Sequence, residues 1–431
     1  MTRGEDFRNA PQDPEVAQPL EGRWSVLALL TSLYAAGAFG FLGAPSLAPF
    51  LLEGFELTRF QVGLLLPALY IGGLAFSLPS GRIADHLGAR MCLGVGLGLG
   101  ALMLLLAATA SSFGVFLGCL LVTGVGWSLV NPAIGIAIVQ LFPAHERGLA
   151  MGIKQTGQTL GGIGAAALLP IVATRWGWRV AVAVGGGVVT VLITLGWRPM
   201  AALRGSPLSD AGPRRRSVWW WAGQPALVMV FATGFGLGME QSAFLSYLPL
   251  FATQALGMSK IGAGSLLAVA QAGGAVARLG LGAASDRWLG GARTPCLVLT
   301  SLLTAITFGA FAQLSPSSPG VGSLVAFCAG AGALGWVGLY MVLSAEVGGR
   351  EEAGLTTGVG VAFLLAGILV GGPLFGLVLE HTDSYAVAWS GFATFAGVLA
   401  VAAAIAGRII RGHRLSAISG CAADAGRTVR G

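Results

Sequence analysis

The chain has 431 residues, of which 55% are hydrophobic and only 10% charged, with a mean hydropathy of +0.78 and a formal charge of +7. A soluble domain carries roughly 25% charged residues, so this composition excludes a water-soluble globule. The 69 glycines show no three-residue period, which excludes a collagen-like fibre and suits closely packed membrane helices.

Residues 1–23 are polar, with Arg3, Glu5, Asp6, Arg8, Asp13 and Glu15, and lack the apolar core of a cleavable signal. They are read as a tail before a first span that is retained. Apolar windows of about 19 residues predict spans near 25–50, 61–81, 91–110, 113–137, 148–172 and 178–197. The stretch 198–223 interrupts the pattern with Pro199, Pro207, Pro213 and the run Arg214, Arg215, Arg216. It is read as a linker between one unit over 24–197 and another over 224–407. Six more spans are predicted near 225–251, 261–281, 294–314, 320–345, 354–379 and 386–407, and 408–431 forms a second polar tail. The expected fold class is an all-α membrane protein of twelve transmembrane helices in two pseudo-symmetric six-helix bundles.

If the first tail is cytoplasmic, nineteen of the 25 basic residues lie on the cytoplasmic side. Arg59, Arg175, Arg179 and Lys260 lie outside, and Lys154 and Arg278 fall within spans. This asymmetry predicts a multi-pass protein of the plasma or inner membrane with both termini inside. Basic residues dispersed over loops point to orientation in the bilayer, with no nucleic-acid partner. Five cysteines without paired or Cys/His spacing, four of them in apolar runs, read as packing residues. No cofactor or metal is expected.

Internal repeats are the strongest organisational signal. A shift of 201 aligns Thr58, Arg59, Gly63, Gly72, Gly81 and Asp85 with Ser259, Lys260, Gly264, Gly273, Gly282 and Asp286. A shift of 210 aligns Gly148, Gly157, Gly161 and Gly162 with Gly358, Gly367, Gly371 and Gly372, which predicts matched close-packing faces.

The loop Gly81-Arg82-Ile83-Ala84-Asp85-His86-Leu87-Gly88-Ala89-Arg90, with a degenerate copy from Gly282 through Asp286 and Arg287 to Arg293, resembles the conserved loop of the major facilitator superfamily. The resemblance covers about 24–407. It implies a secondary transporter whose halves rock about a central solute site, able to function as a monomer. It also implies that Gly81, Arg82, Asp85, Gly88, Arg90, Gly282, Asp286, Arg287 and Arg293 form gating latches between the halves. His86 stands where the family has a basic residue. The family's antiporter pattern in span 5 departs here, because Gly162 occupies the proline position and Gly372-Pro373 occurs in span 11 instead.

Ionisable residues at bilayer depth are the foremost functional candidates, since each costs about 2.5 to 3.5 kcal/mol even on the lenient insertion scale. Lys154 in span 5 has Leu364 as its repeat mate, and Glu240 in span 7 has Phe39, so neither belongs to the duplicated scaffold. Lys154, sharing a face with Gln158 and flanked by Gln155, is assigned to a solute anion or a paired acid. Glu240 is assigned to proton coupling and solute binding. Arg278 is read as snorkelling toward the cytoplasm or supporting a latch, and Gln271 as a possible solute donor. The resemblance places spans 1, 4, 7 and 10 around the cavity, which nominates Tyr34, Trp127, Asn131, Gln241, Trp336 and Tyr340. Asn131-Pro132 has a second reading as a helix kink.

The resulting expectation is a proton-coupled symporter of a small organic or inorganic anion, not an enzyme. No Walker sequence is present, and the histidines lie in loops or tails. Export of an amphipathic compound and a transporter-like membrane sensor are the alternatives.

Overall fold

The computed structural model describes residues 22–143, 146–203, 219–314 and 319–428, without the side chains at 77–78, 81–82, 85, 202, 319–320, 350–351 and 413–428. The central part of the linker and most of the first tail therefore lie outside the described residues. Among those described the chain is helical, with no strand.

Eleven stretches are long and apolar enough to cross a membrane. One of them, Arg147–Gly196, runs for 50 residues, about 75 Å at helical rise against a hydrocarbon core of about 30 Å. It turns back at Gly177, where φ is +84°. Twelve spans result. The equivalent turns at Gly88 (φ +74°) and Gly349 (φ +76°) also use left-handed backbone, which a Cβ disfavours.

Span 1 was expected to be continuous and is instead broken into Arg23–Phe41, Gly43–Ser46 and Ala48–Gly54. Pro45 and Pro49 each remove an amide donor and crowd the carbonyl four residues back, which accounts for interruptions at Leu42 and Leu47. Span 2 opens with Arg59–Val62, capped by Thr58, whose side chain and that of Gln61 bond each other's backbone amides, and continues over 65–87. Span 3 follows over 89–107, span 4 is Phe113–Leu141, and spans 5 and 6 occupy 147–176 and 178–196.

In the second half, span 7 is Pro225–Gln254, span 8 Lys260–Trp288 and span 9 Thr294–Phe311. Span 10 comprises Pro319–Gly335 and 337–348, span 11 covers 350–382, and span 12 is Tyr385–Thr428. This last helix continues through the expected polar tail, so the fall in hydropathy near 408 marks the end of the apolar stretch and not of the helix.

The repeat glycines form matched contacts. An added Cβ on Gly157 or Gly161 would overlap the Thr31 or Ala35 carbonyl of span 1, and on Gly367 or Gly371 the Phe235 or Met239 carbonyl of span 7. Spans 5 and 11 thus lie backbone to backbone on spans 1 and 7, in the manner of small-residue membrane interfaces.

At the end opposite the linker, the far end, the halves are closed on each other. Lys260 Nζ meets Glu53 Oε2 at 2.5 Å, and Arg59 Nη1 meets Asp383 Oδ1 at 2.5 Å. Arg59 also donates to the Leu379 carbonyl (3.2 Å), while its own carbonyl accepts from the Tyr247 hydroxyl (2.6 Å). Gly63 sits against Gly372, and Gly264 against Ala166 and Pro170, so repeat-mate glycines make both far-end seams.

Candidate functional site

A hydrogen-bonded polar cluster inside the bilayer belongs to the first half. Lys154 is buried, at 6% exposure, and its Nζ donates to Asn131 Oδ1 at 2.5 Å while lying 4.0 Å from the Tyr34 ring centroid. The Tyr34 hydroxyl is placed to donate to Asn131 Oδ1 at 3.0 Å or Gln158 Oε1 at 3.3 Å. Gln155 Nε2 donates to Gln158 Oε1 at 2.6 Å. Tyr34 is in turn fixed by Trp127, stacked at 5.0 Å, which also stacks on Phe41 at 5.1 Å.

Spans 1, 4 and 5 therefore hold a cation by neutral groups: an amide oxygen and a ring face. Such contacts orient an ammonium without cancelling its charge, so its field remains available to an anion. Asn131 is used as an acceptor here, and span 4 runs as one helix through Pro132.

A cavity of about 60 Å³ adjoins this cluster, lined by Tyr70, Gln158, Gln241, Leu245, Gln271 and Arg278 among others. Six spans from both halves contribute to it, spans 1, 2, 5, 7, 8 and 10. Arg278 donates through Nη2 to the Leu334 carbonyl at 3.1 Å, and its buried Nε has no hydrogen-bond partner among the described residues. It also lies within electrostatic range of Tyr34 and Tyr70. The guanidinium read from sequence as an interfacial group thus reaches the cavity. Tyr70 was missed, because nothing in a short apolar run marks which face meets the partner half.

The other nominated residues are distributed differently. Gln241 lines the cavity and its buried Oε1 has no partner among the described residues. Gln271 does not stand free for a solute; its Nε2 donates across the halves to the Gly162 carbonyl at 3.0 Å. Trp336 Nε1 donates to Ala333 O at 2.8 Å and the Tyr340 hydroxyl to Gly360 O at 2.8 Å, so both pack within the second bundle.

Glu240 is fully buried, and neither carboxylate oxygen has a hydrogen-bond partner among the described residues. It does not join the Lys154 cluster. Four residues before it Gly236 abuts Leu399 of span 12, and four after it Phe244 faces Phe308 and Phe311 of span 9. Residues four apart share a helix face, which turns Glu240 into the second bundle and away from the cavity-lining face of Gln241 and Leu245.

The two loops read as latches between the halves are described in part. Gly81 lies within span 2, the side chains of Arg82 and Asp85 lie outside what is described, and Gly88 provides the turn already described. Arg90 stands 4.4 Å from the Trp197 ring and donates to the Trp197 carbonyl at 3.0 Å, tying span 3 to the end of span 6. In the second copy Arg293 pairs with Asp286, bonds Ser285 Oγ at 3.1 Å and reaches Glu346 at 3.5 Å. Arg287 is exposed, and a Cβ on Gly282 would meet nothing within 4 Å. The contacts of Arg90 and Arg293 thus stay within their own bundles, because their partners lie at the ends of adjacent spans. The cross-half ion pairs described above lie at the other end of the molecule.

The sequence profile of the Major Facilitator Superfamily matches residues 27–371 and 230–418. The chain is 30% identical over 394 residues to monocarboxylate transporter 11 of Mus musculus, covering 87% of this chain and 86% of that protein. It is 24% identical over 414 residues to the hexuronate transporter of Bacillus subtilis, covering 88% and 93% respectively. Its fold resembles that of a bacterial homologue of the human lysosomal transporter Spinster, inward-facing and unoccupied, with a TM-score of 0.67 and 16% identity. That likeness covers 91% of this chain and 96% of the other.

Proposed function

The chain belongs to the Major Facilitator Superfamily, and from that premise we propose that it carries a small organic anion by alternating access, coupled to protons. The observation that carries this reading is a pair of cations at bilayer depth around one inter-bundle cavity, Lys154, buried and hydrogen-bonded beside Tyr34 and Gln158, and Arg278, half-buried in the wall itself. Lys154 is held by neutral partners, and no carboxylate is among the cavity-lining residues described. A carboxylate-bearing solute would neutralise this excess and meet amide donors from Gln158 and Gln241. The names of the two relatives, a monocarboxylate and a hexuronate transporter, fit the same solute class.

Arg278 offers two parallel donors to a carboxylate, whereas Lys154 supplies a point charge. Their placement on different halves means that an anion bridging them favours the state in which the halves close round it. Glu240, buried in the second bundle without a bonded partner, is the proton site of this reading. It would act on the second bundle's packing and not by touching the solute. In this reading the linker and both termini, with their surplus of basic residues, face the cytoplasm, the far-end seams face the outside, and the protein works in the cell membrane as a monomer.

The test is flux in proteoliposomes of labelled lactate, glucuronate and a cationic dye, with and without an imposed pH gradient. Gradient-driven anion accumulation that falls at least tenfold in Lys154→Ala and Arg278→Gln is the expected result. Dye extrusion indifferent to both substitutions would overturn it.

A further inference from the structure

We infer that Gln271 and Gly162 form a cross-half clasp in the cavity wall, through which an entering solute releases the far-end seam between spans 5 and 8. The inference rests on the transport reading above, but its test does not require a known solute.

Gln271 belongs to span 8 and lines the cavity beside Gln158 and Arg278. It is 7% exposed, and its Nε2 donates to the carbonyl of Gly162 in span 5 at 3.0 Å. A helical carbonyl ordinarily bonds within its own helix, so this oxygen accepts a second bond from the opposite half. The approach depends on glycine: a Cβ at 162 would overlap Gln271 Oε1 and come within 3.0 Å of Leu42 Cδ1. This is the position where the family's antiporter pattern has proline, whose ring would occupy the same space. The departure from that pattern therefore acquires a physical role.

The clasp is not duplicated. At the 201 shift the mate of Gln271 is Tyr70, and at the 210 shift the mate of Gly162 is Gly372. Tyr70 lines the cavity, whereas Gly372 abuts Gly63, one turn and more away along span 2. Among the described residues, the span 5–span 8 seam thus places an amide where it both faces the cavity and holds the halves together. Farther along the same seam Gly264 stands against Ala166 and Pro170, and beyond it Lys260 at the start of span 8 pairs with Glu53 at the end of span 1. An anion carrying a hydrogen-bond acceptor competes with the Gly162 carbonyl for the Gln271 amide, and the seam loses its innermost bond when solute enters. Gln271 is in this sense a positioning residue that links cavity occupancy to closure.

The test measures the far-end gap in the full-length, solute-free protein. Spin labels on Thr174→Cys and Ser259→Cys, in a background with the native cysteines replaced, flank the groove above this seam. Loss of one buried neutral hydrogen bond, about 1 kcal/mol or roughly fivefold, should raise the long-distance population by about that factor in Gln271→Ala. Gly162→Ala should do the same by displacing the amide, and the double variant should show no more than either alone. An unchanged distance distribution in folded Gln271→Ala, or effects of the two substitutions that sum, would overturn the clasp. Failure of the transport reading would appear separately, as absent flux in liposomes with the distance shifts intact.

Discussion

Replacing Asn131 by aspartate changes one amide nitrogen to oxygen and places a carboxylate where Asn131 Oδ1 already receives Lys154 Nζ at 2.5 Å. The internal pair would gain about 4 kcal/mol of attraction, taking charge centres about 4 Å apart in an effective dielectric near 20. Desolvation of the new carboxylate costs several kcal/mol. These terms nearly cancel, so thermal unfolding in detergent should move by no more than a few degrees. An incoming anion, however, loses the field that drew it. If half of the 4 kcal/mol is what the solute feels, because Arg278 remains, affinity falls by about 2 kcal/mol, near thirtyfold. Counterflow of labelled lactate or glucuronate, titrated against unlabelled solute, reads this directly. Asn131→Leu gives the complementary case: Lys154 loses its acceptor, and stability should drop by about 1.5 to 3 kcal/mol. A folded Asn131→Asp variant that carries anions with unchanged affinity would refute the assignment of Lys154 to the solute.

Glu240→Gln should abolish accumulation driven by an imposed pH gradient while leaving gradient-free counterflow, because the side chain faces spans 9 and 12 and not the cavity; loss of both activities would place it in solute binding instead. Gly63→Leu should open the span 2–span 11 seam, since even a Cβ there would stand 2.6 Å from the Gly372 carbonyl, and labelling of a far-end cysteine should rise accordingly. The Arg59–Asp383 pair is 30% and 83% exposed at its two side chains, so Asp383→Ala should cost closure less than about 1 kcal/mol. Exchanging the two residues should restore wild-type labelling, and a persistent defect in the exchange variant would mean that the Arg59 bond to Leu379 O dominates.

The span pattern was legible because a bilayer imposes a length and an apolar composition on every crossing, and the internal shifts of 201 and 210 exposed the duplicated glycines. Direction around each helix was not legible. Span 7 is apolar on nearly every face, so no polar stripe distinguished the side of Gln241 from that of Glu240. Both were nominated, and only Gln241 lines the cavity. Arg278 was misread for a related reason: its distance along span 8 suggested an interfacial group, while its rotation, fixed by packing against span 10, brings it to the cavity. Trp336 and Tyr340 illustrate the converse, aromatic polar groups on a nominated span whose donors are satisfied by carbonyls of their own bundle. The Lys154 cluster was the most readable part, since Gln158 follows it at one helical turn and the isolated charge had no mate in the other half.

The paired glycine seams have a mechanical consequence. Gly63 on Gly372 is a smooth bearing, backbone on backbone, and Gly264 rides on the Ala166 carbonyl and the Pro170 ring, so neither glycine adds a side-chain tooth of its own. Such surfaces have little preference for one register, so the halves can roll without a sequence of rotamer changes at each step. Among the described residues the roll is arrested by polar stops that include the Arg59 and Lys260 pairs, the Tyr247 hydroxyl on the Arg59 carbonyl and the amide at Gln271. Evolution can then retune the resting position by altering a single stop, while the bearings tolerate almost no change at all.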